Sequence, residues 1–498
     1  MAVLPRLMAA LSAIVLLAGC GGGGSAPPTG NASGASGSAR TPAQFSFIIP
    51  TAATSSSSLH RNTVPTSTQS VVLSFTGPYG TVLAPAVAPV TINTSTCTTV
   101  STGLQCTATA NLPNGSVTGS VAAFAGPTGT GALLALGTFT INVTTGAAAA
   151  VTLTTVSNYQ MLSNNELSAT LSIDHVADTF TVNTTTGTGA AEIFSGTIVP
   201  LANGDIKATV STSSDTTGEP IGDVILLREL PNGAVMIEDS DTAAPASPWD
   251  GVSSTGGAAF GVANPACASA SGAIPIDLVS ISGQSFTAAG SSPSQALIVG
   301  TATLTATTLV GSGTQYDING NSQGATTSGA ITCSGSIYVP SSNNEPTLMF
   351  NNLGVIAGVN GNGTETNPSV DGIFGFANPA NINLGALEAA SYDGFVSSGN
   401  GSSNATIQPF IATSISTGLQ FCPYTDVLNN VPATGTSCVT ITFVSQPYPG
   451  VVYGTISNGS SAVMTVAQVS GKYAILGISD LGTSTTPGVA GNFVLFQH

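Results

Sequence analysis

Along most of this chain apolar residues alternate with Thr, Ser, Asn and Gln, in short runs broken by Gly, Pro or Asn. A period of two, with Val, Ile, Thr and Phe at the buried positions, is the signature of half-buried β-strands. The first such runs are Phe45–Ile49, Ser70–Phe75, Val87–Ile92, Gln105–Ala110, Ser116–Phe124, Gly137–Val143 and Ala149–Thr154. Pro89 has no N–H to give to a ladder, so the third run is confined to a sheet edge. Ser55–Ser58 is a low-complexity loop, and Leu112-Pro113-Asn114-Gly115 is read as a hairpin turn. Short strands at this spacing predict a β-sandwich over residues 44–157.

The stretch from Leu112 onward resembles the immunoglobulin-like modules of bacterial surface lipoproteins. In those, a Pro-x-Gly turn leads into two or three alternating strands, the last after a Gly such as Gly146. The resemblance implies an immunoglobulin-like sandwich and carries no catalytic residue with it.

From Tyr159 the pattern repeats. Phe260-Gly-Val-Ala-Asn-Pro-Ala266 recurs as Phe374-Gly-Phe-Ala-Asn-Pro-Ala380. Residues 358–376 also align without gaps on 477–495, matching Gly358 to Gly477, Pro368 to Pro487, Gly372 to Gly491 and Phe374 to Phe493. Repeats of this length are supersecondary units that bury their apolar faces against one another. The units run over 158–266, 267–380 and 381–498 and carry seven or eight strands each; Asn381–Ala390 is the one helix-like stretch. The predicted fold is therefore all-β: a sandwich followed by an antiparallel repeat region. Eight strands per unit can close into tandem small barrels or sandwiches. The alternative is a six-bladed β-propeller with two blades per unit, but no recurring Trp-Asp pair is present and Trp249 is the only Trp.

Composition narrows the partners. Charged residues are 6 % of the chain, against about 25 % in an ordinary domain. Every Asp and Glu lies at or after Glu166, and the net charge of −16 moves to about −17 once Arg6 is removed with a leader. Nucleic acid requires clustered Lys and Arg, and none cluster here. The 42 % apolar fraction is enough for real cores, so the mature chain is expected to fold rather than stay disordered.

The first twenty residues change the picture more. Arg6 precedes the apolar run Leu7–Leu17, which is too short to span a membrane. The run closes with Leu17-Ala18-Gly19-Cys20, which resembles the lipobox of bacterial lipoproteins. That resemblance implies cleavage before Cys20, acylation of its thiol (palmitate or a similar chain) and of the new amino terminus, and a stable anchor, because two or more acyl chains hold where one does not. Gly21–Gly24, in place of an Asp after the Cys, implies the outer membrane by the family's sorting rule, facing the periplasm or the cell surface. Residues 1–19 are thus a signal peptide. Residues 20–43, rich in Gly, Ser and Pro, are a flexible tether with a reach of roughly 25 Å.

Export also sets the redox compartment. Without Cys20, six cysteines remain, an even number that reads as disulfides. The sequence-local pairs are Cys97–Cys106, Cys267–Cys333 and Cys422–Cys438, each inside one unit.

Candidate chemistry is sparse. No Gly-x-Ser-x-Gly elbow is present. His60, His175 and His498 are scattered, with His175 lying near Asp174 and Asp178 on a strand edge. Carboxylate pairs for glycoside hydrolysis are Glu238 with Asp239 and Asp241, or Asp371 with Asp393. Glu238, Asp239 and Asp241 are also the densest oxygen set for Ca²⁺. Gly358–Gly363 reads as a turn rather than a phosphate cradle. No cofactor is implied. The expected function is a membrane-anchored, non-enzymatic binding or scaffold module with a protein or glycan ligand. The alternatives are a hydrolase using carboxylates on a β scaffold, or a structural surface coat.

Overall fold

A computed structural model describes residues 40–49, 67–81, 83, 87–101, 103–162, 166–186, 192–214, 221–239, 257–267, 272–282, 297–305, 307–316, 322–327, 331–340, 346–360, 371–377, 390–399, 405–448, 450–457, 459–469, 472–480 and 490–497. Cys20 and the leader, the Ser55–Ser58 loop, His60, Asp241, Trp249, residues 361–370, 381–389 and 481–489, and His498 lie outside these.

The N-terminal unit is a sandwich of two four-stranded sheets. Its strands are β1 (Arg40–Ile49), β2 (Ser70–Thr76), β3 (Val90–Asn93), β4 (Thr98–Val100), β5 (Gly103–Pro113), β6 (Gly115–Phe124), β7 (Leu133–Val143) and β8 (Ala148–Ala150). The sheet orders are β4-β5-β1-β8 and β3-β2-β6-β7. Ala43, Phe45, Phe47 and Ile49 of β1 point inward while Gln44, Ser46 and Ile48 point out, as the alternation requires. Between the sheets the rings of Phe45, Phe75 and Phe139 meet at centroid distances of 5.1–6.1 Å. As Pro89 dictates, β3 starts after it and is an edge strand.

The structure corrects two expectations. Strand β1 begins at Arg40, and Ala43 is fully buried, so the tether ends before residue 40 rather than at 43. Leu112–Gly115 is not a hairpin: β5 pairs with β1 and β4, and β6 pairs with β2 and β7. Pro113 is still in β5, and the chain then crosses from one sheet to the other through Asn114, whose side chain accepts from Thr41. Gly115 takes φ +114° at the corner, a conformation open to glycine.

Strand β6 is buried on both faces. Val117, Val121 and Ala123 enter the sandwich core, while Ala122 and Phe124 join Leu133 and Leu136 in a second apolar layer on the outside of the same sheet. Lys472 sits over the Phe124 ring of that layer.

The rest is three closed eight-stranded antiparallel barrels. Barrel 1 contains β9 (Val156–Met161), β10 (Glu166–Asp174), β11 (Thr179–Thr186), β12 (Glu192–Pro200), β13 (Ile206–Ser213), β14 (Val224–Glu229), β15 (Ala234–Asp239) and β16 (Gly257–Ala263). Barrel 2 contains β17 (Gly272–Ser282), β18 (Leu297–Leu304), β19 (Thr308–Tyr316), β20 (Ser322–Thr327), β21 (Ile331–Ser334), β22 (Ile337–Pro340), β23 (Pro346–Phe350), β24 (Val355–Asn360) and β25 (Asp371–Ala377), with β20 appended to β19 outside the ring. Barrel 3 contains β26 (Ser391–Gly399), β27 (Ala405–Ile415), β28 (Gly418–Asp426), β29 (Val431–Pro432), β30 (Val439–Tyr448), β31 (Val451–Ile456), β32 (Ser461–Val469), β33 (Lys472–Asp480) and β34 (Ala490–Gln497), with β29 appended to β28. Ring closure removes sheet edges and replaces the propeller alternative. The barrels are filled by their own side chains, such as Phe180 and Leu171, Tyr338 and Phe350, and Phe421 and Phe493, as eight-stranded barrels allow.

Their outer faces form one further core. Met236, Phe260 and Val262 of barrel 1 meet Ala357, Phe374 and Phe376 of barrel 2 and Leu476, Val494 and Phe496 of barrel 3. Phe260 stacks on Phe374 at 4.2 Å, and Phe374 meets Phe496 edge-on at 6.1 Å. Burying a large apolar side chain contributes about 1.5–3 kcal/mol. The four rings and one thioether of Phe260, Phe374, Phe376, Phe496 and Met236 thus supply on the order of 10 kcal/mol, so the barrels are fused rather than loosely tethered domains.

Register makes the three barrels equivalent strand by strand. Met236 pairs with Phe260, Ala357 with Phe374 and Leu476 with Val494. Phe374 therefore corresponds to Val494, not to Phe493 as the ungapped sequence match has it. Gly358 and Gly477 do correspond, but the connection that follows is one residue longer in barrel 3. A one-residue slip turns a strand over: Phe374 faces the shared core and Phe493 the inside of barrel 3. Gly358 itself lies within β24 rather than in a turn.

Inward glycines bring neighbouring strands close. A Cβ on Gly394 of β26 would stand 1.9 Å from the Val494 carbonyl oxygen. Gly394→Ala is expected to lower stability by about 1–3 kcal/mol, read as a lowered chemical-denaturation midpoint. An unchanged midpoint would mean that the strands separate freely there.

The six cysteines come together in the pairs Cys97–Cys106, Cys267–Cys333 and Cys422–Cys438, with Cα separations of 4.6, 6.1 and 4.3 Å. Each pair lies within one unit.

Candidate functional site

Three polar features stand out against this apolar framework. The first is inside barrel 1. Tyr159 of β9 and Glu229 of β14 both face inward, and His175 follows the last residue of β10. The Tyr159 hydroxyl donates to Glu229 Oε1 at 2.7 Å, and His175 Nε2 lies 2.6 Å from Glu229 Oε2. Burial alone would lower the His175 pKa, but Glu229, helped by Asp174 and Asp178, reverses this and raises it. The result is a buried His175–Glu229 pair whose geometry favours the protonated imidazole. His175 is 4 % exposed, which corrects its reading as a surface strand-edge residue. Asp174 instead caps its own turn, accepting from the N–H groups of Val176 and Ala177. Among the described residues His175 Nδ1 and the Thr155 hydroxyl have no hydrogen-bond partner, and the Ser157 hydroxyl is turned to Tyr159. Among the described residues no hydroxyl is thus hydrogen-bonded to the imidazole as a nucleophile would be.

The second feature lies between barrels. Arg228 of β14 points out of barrel 1. Its Nε donates to Asp205 at 2.6 Å, and its Nη2 to the Asn203 carbonyl and to Asp393 of barrel 3, both at 3.2 Å. Tyr424 of β28 donates to the other Asp393 oxygen, and Asn203 donates to Asp205. Burial disfavours the guanidinium, but Asp205 and Asp393 together raise its pKa. Glu238 is buried beside this group. Burial first, then Asp205 and more weakly Asp393, push its carboxyl well above the usual range, against an opposing pull from Arg228 that is smaller than the push from Asp205. Glu238 therefore resists ionisation. It stands on strand β15 facing the shared core, not on an open loop, and Asp239 follows it on the same strand. A buried acid that resists ionisation is a poor Ca²⁺ ligand. Among the described residues no three His, Cys, Asp or Glu stand close enough to hold a metal ion. The proposed hydrolytic pair of Asp371 with Asp393 is divided between β25 of barrel 2 and β26 of barrel 3, and Asp393 is committed to Arg228 and Tyr424.

The equivalence of the barrels explains why Asp393 is there. Gln160, Asp277 and Asp393 occupy the same position on the first strand of each barrel, opposite Val262, Phe376 and Phe496. Arg228, Met349 and Thr465 share a second position, opposite Met236, Ala357 and Leu476. Each first-strand polar group reaches the next barrel round the ring. Gln160 accepts from Ser336 of barrel 2 at 3.0 Å, Asp277 faces Thr465 of barrel 3, and Asp393 meets Arg228 of barrel 1. No local signal marks these positions in the sequence: other polar residues share all three strands, Ser157 and Asn158 in β9, Ser280 in β17 and Ser397 in β26.

The third feature is a half-open cleft of 180 Å³ where the sandwich meets barrels 1 and 2. Thr118, Thr138 and Thr140 line one side, and Asn264, Asn351 and Asn352 the other. The sandwich touches all three barrels near here. Tyr79 N donates to Asn352, Gly80 lies against Gly354, Gly204 lies near Gly131, and Lys472 donates to the Gly129 carbonyl at 2.7 Å with its ammonium over the Phe124 ring.

The chain matches no protein-family model, no curated protein and no solved structure. The reading of function therefore rests on residues and geometry.

Proposed function

We propose that this chain is an outer-membrane lipoprotein, held by acyl chains on Cys20, that acts as a rigid, non-enzymatic binding or scaffold module in the cell envelope. The observation that carries this reading is the shared apolar core of the three barrels, capped by the sandwich. It makes one stiff body from units that would otherwise move independently. The lipobox-like Leu17-Ala18-Gly19-Cys20 supports the anchor, and the Gly/Ser/Pro tether supports standing clear of the lipid surface. The two strongest charge clusters, around His175 and Arg228, are buried and internally paired, as suits joints rather than reaction centres. The cleft at the module junction has the location that binding sites favour.

The test is metabolic labelling with radiolabelled palmitate in a Gram-negative host. The parent chain is expected to incorporate label and to fractionate with membranes, and Cys20→Ala to do neither. Label retained in Cys20→Ala would defeat the anchor. Protease shaving of intact cells then separates surface exposure from a periplasmic location.

A further inference from the structure

Resting on the binding-module reading, we infer that the cleft between the sandwich and barrels 1 and 2 is a binding site for one uncharged, hydroxyl-rich ring: a neutral sugar unit, free or at the end of a glycan. Its volume of 180 Å³ corresponds to about six waters at roughly 30 Å³ each. That suits a single ring and falls short of the roughly 300–1,000 Å³ of pockets for larger ligands.

The chemistry of the wall is the second argument. Among the described residues no lining side chain is charged, whereas hydroxyls and carboxamides converge from three modules. Several of these groups are poorly used. Thr118 Oγ1 lies 3.4 Å from Thr140 Oγ1 and 3.5 Å from Asn352 Nδ2, at the outer limit of hydrogen bonding. Asn352 Oδ1 accepts from Tyr79 N at 3.4 Å. By contrast, Asn351 is fully engaged, donating to the Asn232 carbonyl and accepting from Leu353 and Val355. Asn351 thus frames the cleft, while Thr118, Thr140 and Asn352 hold capacity for a ligand's hydroxyls. Phe139 borders the cleft as well, but its ring is packed between the sheets against Phe45 and Phe75, so the binding surface is the polar one. Asn264, on the barrel 1 side, is held at φ +51°. That left-handed conformation is uncommon outside glycine and recurs at ligand-contacting positions.

The probes are the methyl glycosides of glucose and galactose and N-acetylglucosamine, titrated against the folded mature chain by saturation-transfer NMR. A ligand of this size in a site of this kind is expected to bind with Kd on the order of 1 mM. Asn352→Ala and Thr140→Val, each a small change at an exposed residue, are expected to weaken it about tenfold. Saturation by at least one sugar with that loss supports the site. Saturation that neither variant alters places the sugar elsewhere and overturns the cleft, while leaving the binding-module reading intact. Absence of saturation by every probe at about ten times the expected Kd overturns the inference. The broader reading is judged independently by palmitate labelling and shaving.

Discussion

Replacing Arg228 by Met is expected to destabilise the protein by about 3–5 kcal/mol, because it strands two buried carboxylates at once. Arg228 is 6 % exposed and serves both of them, one in another barrel. Met removes the cation but keeps volume and apolar fit, and the equivalent position in barrel 2 is already Met349. The loss therefore measures Asp205 and Asp393 left charged and buried, the situation in which removing one ionic partner is most costly. The companion variant Arg228→Met/Asp205→Asn/Asp393→Asn removes those charges as well and is expected to recover most of the loss, because an uncharged isosteric cluster is often neutral or better. Groups in one network do not add, so the comparison of the two variants carries the information. Guanidinium unfolding followed by fluorescence supplies the numbers. A single variant as stable as the parent would show that water reaches the seam and screens the carboxylates.

Much of the fold is visible in the chain because one face of each strand enters a local core. Phe45, Phe47 and Ile49 alternate with polar residues in β1, and any reading with period two finds that strand. The alternation fails where a second buried face exists. Phe374 and Phe376 fill the shared core while Ile373 lies inside barrel 2, so β25 reads as a plain apolar run. Nothing local says that its outer face is covered by other barrels. Turn signals fail in a comparable way. The tetrapeptide Leu-Pro-Asn-Gly occurs at 112–115 and again at 230–233. The second makes a true hairpin, with Glu229 opposite Val235 and Gly233 at φ +80°. The first turns a corner between sheets. Which outcome prevails is decided by the partners of the flanking strands, not by the four residues. The polar seam was hidden for a related reason: Arg228 and Asp393 are 165 residues apart, and each alone reads as an ordinary surface charge. Their roles emerge only once the three barrels are aligned by register.

That alignment exposes an asymmetry with a measurable consequence at Asp277. It occupies the same position as Asp393, but the residue across the seam is Thr465 where Asp393 finds Arg228. Asp277 is 2 % exposed. Its ladder neighbours are Phe376 and Val299, and among the described residues no charged group shifts its titration. Burial pushes its carboxyl up to about 7, offset in part by the Thr465 hydroxyl. In the unfolded chain it ionises near 3.8. Below pH 3.8 both states hold the proton and the group is neutral to stability. Between pH 3.8 and about 7 only the unfolded state releases it, so stability falls by about 1.4 kcal/mol per pH unit. The full penalty, about 4 kcal/mol as an upper bound, is in place above pH 7. Asp277→Asn cannot ionise and escapes it. Any fixed cost of burying the amide is the same at every pH, so the change in the gap between variant and parent isolates the titration. The variant is expected to gain on the parent from pH 4 to pH 8, by an amount approaching that bound, when unfolding midpoints are compared in denaturant. A gap constant across that range would mean that Asp277 is ionised in the folded protein, with a cation or water at the barrel 2–barrel 3 seam that the register does not supply. A growing gap would show this seam held at low pH by a proton where its neighbour is held by an arginine.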